Sequence, residues 1–144
     1  MFITRKLDYG LRILLILGCR PHERLTSVAL SKLINAPRQF TLKIAQTLTQ
    51  AGLIKAQRGV GGGIQLARQP ETITLIEIFE VMDTSSALNE CLVNPHACIR
   101  EEYCSVHHRL RSIQAVLDQE LTKTTLAGLI SNQKILDRQR KEKP

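Results

Sequence analysis

PRQFTLKIAQTLTQAGLIKAQRGVGGGIQL, residues 37–66, contains the change of rhythm that decides the fold. Pro37 suits the first residue of a helix, where its missing N–H goes unused, and Gly52 suits the position just past a helix end. Between them Phe40, Ile44, Leu48 and Ala51 recur on one face. The period then shortens. Leu53 to Gln57 and Ile64 to Ala67 alternate weakly on either side of Arg58-Gly59-Val60-Gly61-Gly62-Gly63, the pattern of a two-stranded ribbon with a flexible basic tip.

Upstream, Leu7, Leu11, Leu14, Leu15 and Leu17 recur at spacings that predict a helix from Thr4 to Gly18 with one wide buried face. Thr26 or Ser27 caps a short second helix carrying Val28, Ala29, Leu30 and Leu33, which ends near Asn35. Three helices followed by a ribbon make the winged form of a helix-turn-helix domain, ending near Pro70. Beyond it, Thr74 and Glu77 fit a capping box opening another short helix. Residues 83–104 show no periodicity, hold three of the four cysteines and read as a loop. A long helix begins around Ser105, with Val106, Leu110, Ile113, Leu117 and Leu121 forming a seam.

One such helix against a domain already closed by its ribbon leaves apolar surface, which a paired helix in a dimer covers; packing within the chain is the alternative. The expected fold class is therefore mainly α with a small β-ribbon. A winged helix-turn-helix domain occupies residues 1–70, and a short helix with a cysteine-rich loop occupies 71–104. A dimerisation helix and short terminal helix fill 105–132, and 133–144 form a flexible tail.

With 144 residues the chain has the length of one domain, and 3% aromatics with no Trp require a core of Leu, Ile, Val and Ala. The formal net charge of +7 is unevenly placed. Residues 1–68 carry 11 basic side chains against Asp8 and Glu23, a balance of +9, whereas 69–144 balance to −2. A polyanion is the partner this asymmetry suggests for the N-terminal half. The apolar run from Ile13 to Leu17 is too short for a secretory signal, and nothing approaches the roughly 20 apolar residues of a membrane span. The expectation is a cytoplasmic protein without a membrane partner, its cysteines serving as ligands, sensors or buried thiols.

The face of the third helix opposite its apolar stripe holds Arg38, Gln39, Leu42, Lys43, Gln46, Thr49 and Gln50, with no carboxylate. Arg and Gln make bidentate contacts to guanine and adenine edges, and Leu42 suits a thymine methyl. Arg58, beside Gly59 at the ribbon tip, suits a minor groove. Double-stranded DNA is thus the expected partner; a solvated helix face and a mobile hairpin are the plain alternative. The glycine run is not a nucleotide cradle, because the third glycine of G-x-G-x-x-G is missing and strand follows.

Cys91, Cys98 and Cys104 form C-x6-C-x5-C, and His107 follows three residues later. Three thiolates and an imidazole suit an iron–sulfur cluster or zinc, and the wide spacing leans towards the cluster because structural zinc favours closer pairs. Unligated thiols acting as a redox switch remain the alternative. Cys19, at the end of the first helix, reads as a buried thiol, and His108 points about 100° from His107 on a helix. No nucleophile with a base at motif spacing and no phosphate loop appears, so an enzyme is not expected.

Leu7-Asp8-Tyr9-Gly10-Leu11-Arg12, Ala51-Gly52-Leu53-Ile54, the Arg58 to Gly63 wing, the cysteine loop and Thr125-Leu126-Ala127-Gly128-Leu129-Ile130 together resemble the Rrf-two family of winged-helix regulators. The resemblance runs from Met1 to about Gln133. It implies a homodimeric transcription regulator whose iron–sulfur cluster controls binding to a near-palindromic promoter site. One branch holds a [2Fe–2S] cluster with three cysteines and a histidine three residues after the last, matching Cys91, Cys98, Cys104 and His107. Another, sensing nitric oxide, holds a [4Fe–4S] cluster with three loop cysteines and an aspartate from the other subunit's first helix, matching Asp8. His107 and Asp8 are thus alternative fourth ligands. A branch using a first-helix histidine is disfavoured by Arg12, and cluster-free members have no need of three loop cysteines.

Overall fold

A computed structural model describes residues 3–82, 84–94 and 96–142. Residues 1 and 2, Asp83 and Pro95 of the expected loop, and 143 and 144 of the expected tail lie outside the described residues. Helix α1 (Arg5–Cys19) opens where the Thr4 hydroxyl accepts the Leu7 N–H at 3.2 Å, and it buries Leu7, Ile13, Leu14 and Leu17. Helix α2 (Ser27–Leu33) is capped by Thr26, whose hydroxyl accepts the Ala29 N–H at 3.1 Å, so Thr26 rather than Ser27 is the cap. Helix α3 (Arg38–Gln50) begins one residue later than expected. Pro37 has extended backbone (ψ 136°) and stands at the cap, its carbonyl accepting the Thr41 N–H and hydroxyl.

The buried face of α3 is Thr41, Ile44, Ala45 and Leu48, with Phe40 half-buried. Ala51, expected on that face, closes the helix and is exposed. Gly52 then takes φ +72°, a left-handed turn that glycine adopts without strain. Strands β1 (Ile54–Gln57) and β2 (Gly63–Leu66) pair antiparallel from Ile54↔Leu66 to Gln57↔Gly63. Leu25 adds a third edge by exchanging both backbone hydrogen bonds with Ile64, at 3.1 and 2.8 Å. The segment entering α2 is thereby tied to the ribbon.

Past a 3-10 turn at Pro70–Thr72, α4 (Leu75–Val81) is capped by Thr74, whose hydroxyl accepts the Glu77 N–H. The capping box is only half made, because the Glu77 carboxylate pairs with Arg68 instead of returning to the cap. Helix α5 (Ser105–Lys123) and helix α6 (Leu126–Glu142) complete the chain. Leu75 N–H bonds Thr124 carbonyl at 2.9 Å and Leu126 N–H bonds Ile73 carbonyl at 2.8 Å, fixing the α5–α6 corner against the start of α4.

Helix α1 lies at the centre, and two of its glycines are there for close approach. A Cβ on Gly10 would stand 2.9 Å from Met82 Sδ, and one on Gly18 would stand 2.2 Å from Ile130 Cδ1. One buried cluster accordingly runs from Leu7 through Ile78 to Leu126 and Ile130. Where the sequence suggested a short helix near 125–130 and a flexible tail from 133, the structure carries α6 in one helix to Glu142. No Gly or Pro follows Gly128 in that stretch, and Gln, Lys, Leu, Arg and Glu all propagate helix well.

The long seam divides. Leu121 is buried and Leu117 packs on the core, but Val106 and Ile113 are 61% and 44% exposed. Among the described residues no helix is long and apolar enough to cross a membrane.

Candidate functional site

Two groups of side chains stand apart from the packing. On α3, Arg38, Gln39, Leu42, Lys43, Gln46, Thr49 and Gln50 are all exposed on one side, as the periodicity requires. At the ribbon tip Arg58 and Gly59 are exposed as well. The tip is shaped by backbone constraints: Gly59 and Gly61 have φ of +95° and +74°, and a Cβ on Gly62 would meet the Gln57 carbonyl oxygen at 2.3 Å.

A residue that sequence reasoning missed holds this tip in place. Arg24 Nη1 donates to Gln57 Oε1 at 2.7 Å and to the Gly61 carbonyl at 3.0 Å, lashing the wing to the α1–α2 connection. The isolated bridge at Leu25 and the close approach of Gly63 bring Arg24 there, and one bridged residue leaves no periodic signal.

Asp8, on α1, is clamped by Arg12 through two contacts of 3.0 Å. The Arg12 guanidinium also lies 5.8 Å over the Tyr9 ring, and Tyr9 meets Phe40 edge-on at 5.7 Å. The first turns of α1 are thus in contact with the start of α3.

The second group lies in the loop before α5. Cys91 sits in a 3-10 turn (Glu90–Leu92), and Cys104 follows another (Glu101–Tyr103). Cys104 caps α5, its sulfur accepting the His107 N–H at 3.4 Å. His107 is buried, with Nδ1 3.4 Å from Cys91 Sγ. Cys98 is exposed. Cys91, Cys98, Cys104 and His107 all line one cavity of about 240 Å³, shared with Glu101 and Val106. Among the described residues no three His, Cys, Asp or Glu groups converge as they would around a single metal ion.

The loop is strapped to α5 by Gln114, whose Oε1 accepts the Leu88 N–H at 2.8 Å while its Nε2 donates to the Ser86 carbonyl and to Asp118. Thr84, at the loop's start, brings its hydroxyl to 3.5 Å from that of Thr4, the cap of α1. His108 turns outward to the Glu102 carbonyl, and His22 and His96 are exposed. Cys19 is half-buried rather than fully buried. Burial pushes its thiol pKa up, with Lys134 and Arg20 opposing and Asp137 reinforcing the shift.

A helix-turn-helix with a lashed ribbon wing, followed by a cysteine-lined cavity and a long half-open helix, defines the class of winged-helix regulators. More particularly, the chain belongs to the Rrf2 (Rrf-two) family, whose model, described as Iron-dependent Transcriptional regulator, matches residues 3–132. Members are DNA-binding transcription regulators rather than enzymes. The HTH-type transcriptional regulator NsrR of Halalkalibacterium halodurans is 31% identical over 150 residues, covering 100% of both chains. The solved structure of CymR, the global cysteine regulator of B. subtilis, superposes with a TM-score of 0.73 at 26% identity, covering 92% of this chain and 98% of that one. The IscR of T. potens gives 0.71 at 20% identity over 92% and 88% of the two chains, a likeness that carries the fold alone.

Proposed function

We propose that this chain acts as a homodimeric transcription regulator whose hold on a near-palindromic promoter site is set by an iron–sulfur cluster ligated by Cys91, Cys98, Cys104 and His107. The observation that carries the reading is the common cavity: residues spread over 17 positions of a loop and helix, three thiols and one imidazole, line the same space. That donor set suits iron–sulfur ligation. A cavity of about 240 Å³ has room for a polynuclear group, [2Fe–2S] or [4Fe–4S], and the wide spacing of the three cysteines favours such a group over a lone zinc. Asp8 of the other subunit, the alternative fourth ligand, would first have to leave Arg12, which occupies both its oxygens. His107 already stands at the cavity, so it is the favoured ligand.

A bound cluster supplies one-electron redox chemistry and reactivity towards oxidants and nitric oxide. The chain's own residues do the rest. Gln114 and Asp118 hold the base of the loop, and three contacts lead from it towards α3: Thr84 with Thr4, Met82 against Gly10, and Tyr9 with Phe40. Two loop arrangements that differ in these contacts would bias where α3 sits, and hence affinity for DNA. In the bound state Arg38, Gln39, Leu42, Lys43 and Gln46 face base edges in a major groove, while Arg58 and Gly59 enter the neighbouring minor groove. Half-sites lie about one helical turn apart. The open seam at Val106 and Ile113 pairs with a second copy, and the reading makes the protein cytoplasmic.

A second reading, a cluster-free regulator sensing through thiols or zinc, is favoured by the Cys91–His107 contact at 3.4 Å, which already sets a thiol and an imidazole beside each other, and by the likeness to CymR. Selection of bound duplexes from a random pool, with anaerobically reconstituted protein and Cys98→Ala side by side, tests the proposal. It expects inverted half-sites and different affinities for the two proteins. Equal affinities, abolished in the wild type by thiol oxidation, would favour the second reading.

A further inference from the structure

Glu101 stands in the 3-10 turn just before Cys104, its side chain 28% exposed and part of the cavity lining, and its two oxygens have different neighbours. Oε1 lies 3.9 Å from His107 Nε2. Oε2 accepts the His96 N–H at 3.1 Å, where the chain turns at φ +69° two residues before Cys98. On the other side of the imidazole, Nδ1 faces Cys91 Sγ at 3.4 Å. His107 is only 7% exposed, so its ring has little room to turn over. One nitrogen therefore looks into the cysteine cavity and the other at a carboxylate.

We propose that Glu101 is the positioning carboxylate of this site: one oxygen holds the proton of His107 on Nε2, presenting the Nδ1 lone pair to the cavity, and the other holds the backbone turn that leads to Cys98. A ligating imidazole usually hands its second N–H to a carboxylate, carbonyl or water, which sets its tautomer and raises its basicity. The 3.9 Å separation exceeds a direct hydrogen bond and closes by a small rotation of Glu101 or through one bridging water. The consequence for ligation, that His107 binds through Nδ1, rests on the reading of His107 as fourth ligand; the orientation of the ring does not.

The test begins without any metal. Long-range proton–nitrogen NMR spectra of the uniformly labelled, metal-free chain at about pH 8, where an ordinary imidazole is neutral, report the tautomer of each histidine. Wild-type His107 is expected as the Nε2–H form. Glu101→Ala moves the ratio towards Nδ1–H by on the order of tenfold, the effect of losing a hydrogen bond to a charged group. Glu101→Gln, which keeps an acceptor oxygen, restores the Nε2–H form. A purely structural role for Glu101 would leave the ratio unmoved. An Nδ1–H wild type, or an unchanged ratio in Glu101→Ala, overturns the proposal. Nitrogen hyperfine spectra of the reduced, reconstituted protein form a separate arm: no imidazole coupling removes His107 from the ligand set without touching the tautomer result, whereas Nε2 coupling contradicts the proposal itself.

Discussion

Gly62→Ala isolates the wing from the rest of the molecule. The added methyl carbon would stand 2.3 Å from the Gln57 carbonyl oxygen and 2.9 Å from the Arg58 carbonyl carbon and the Gly59 carbonyl oxygen, all backbone atoms with no side-chain rotation to relieve them. Ordinary contact begins at 3.4 Å, so the turn must open by about 1 Å. That displacement breaks the 3.0 Å hydrogen bond from Gly62 N–H to the Gly59 carbonyl and moves Arg58. The turn lies outside the buried cluster, so the cost is confined to local strain and the lost hydrogen bond, about 1–2 kcal/mol, and the variant still melts cooperatively. DNA binding responds differently. If each Arg58 meets one phosphate, its loss lowers the slope of log affinity against log salt by about 0.9 per wing. At roughly 0.1 M salt that is about an eightfold loss per wing, and about sixtyfold for a dimer losing both. Fluorescence anisotropy with a labelled duplex over a salt series reads both quantities, and non-specific duplex suffices because the term is independent of sequence. An unchanged slope and affinity in a variant that is folded but measurably destabilised would refute the assignment of the wing to DNA.

Three further outcomes are expected. Gly18→Ala forces a Cβ to 2.2 Å from Ile130 Cδ1 and 2.9 Å from Cγ1, and overpacking of about 1–3 kcal/mol outweighs the roughly 1 kcal/mol that alanine adds to a helix. Thermal melting of Gly18→Ala alone and with Ile130→Val, which removes that Cδ1, should show a loss partly recovered. Ile113→Glu places a charge in the exposed part of the α5 seam, so light scattering should report a monomer with an intact helical spectrum; a persisting dimer would put the interface elsewhere. Because burial raises the Cys19 pKa, its thiolate fraction at neutral pH is smaller than an ordinary thiol's, and alkylation at Cys19 should lag behind exposed Cys98 and accelerate as pH rises. Equal rates by mass spectrometry would contradict that environment.

Local chemistry made the winged helix-turn-helix half legible. The α3 stripe, the turn at Gly52 and the glycine-rich tip all write their geometry into neighbouring residues, and the structure returned them with a one-residue shift at Pro37 and with Ala51 exposed at the helix end. Contacts between distant segments were not legible. Arg24 reaches the wing across 33 positions to Gln57, Glu77 leaves its cap for Arg68, and Glu101 turns to His107 from a loop without periodicity. The end of α6 was misjudged because its polar composition resembles that of a tail, while its helix-forming residues carry it on to Glu142. The cysteine spacing pointed to a shared site, but the cavity, the half-hidden thiols and the burial of His107 came only from the fold.

The central claim is that the cavity holds an iron–sulfur cluster, and anaerobic purification followed by visible absorption with iron and acid-labile sulfide counts tests it most directly. The account predicts a brown wild type with stoichiometric iron and sulfide, bleached in Cys98→Ala and altered in His107→Ala. A colourless protein without sulfide after careful anaerobic reconstitution would contradict it, and would leave a DNA-binding regulator that senses through its thiols or through zinc.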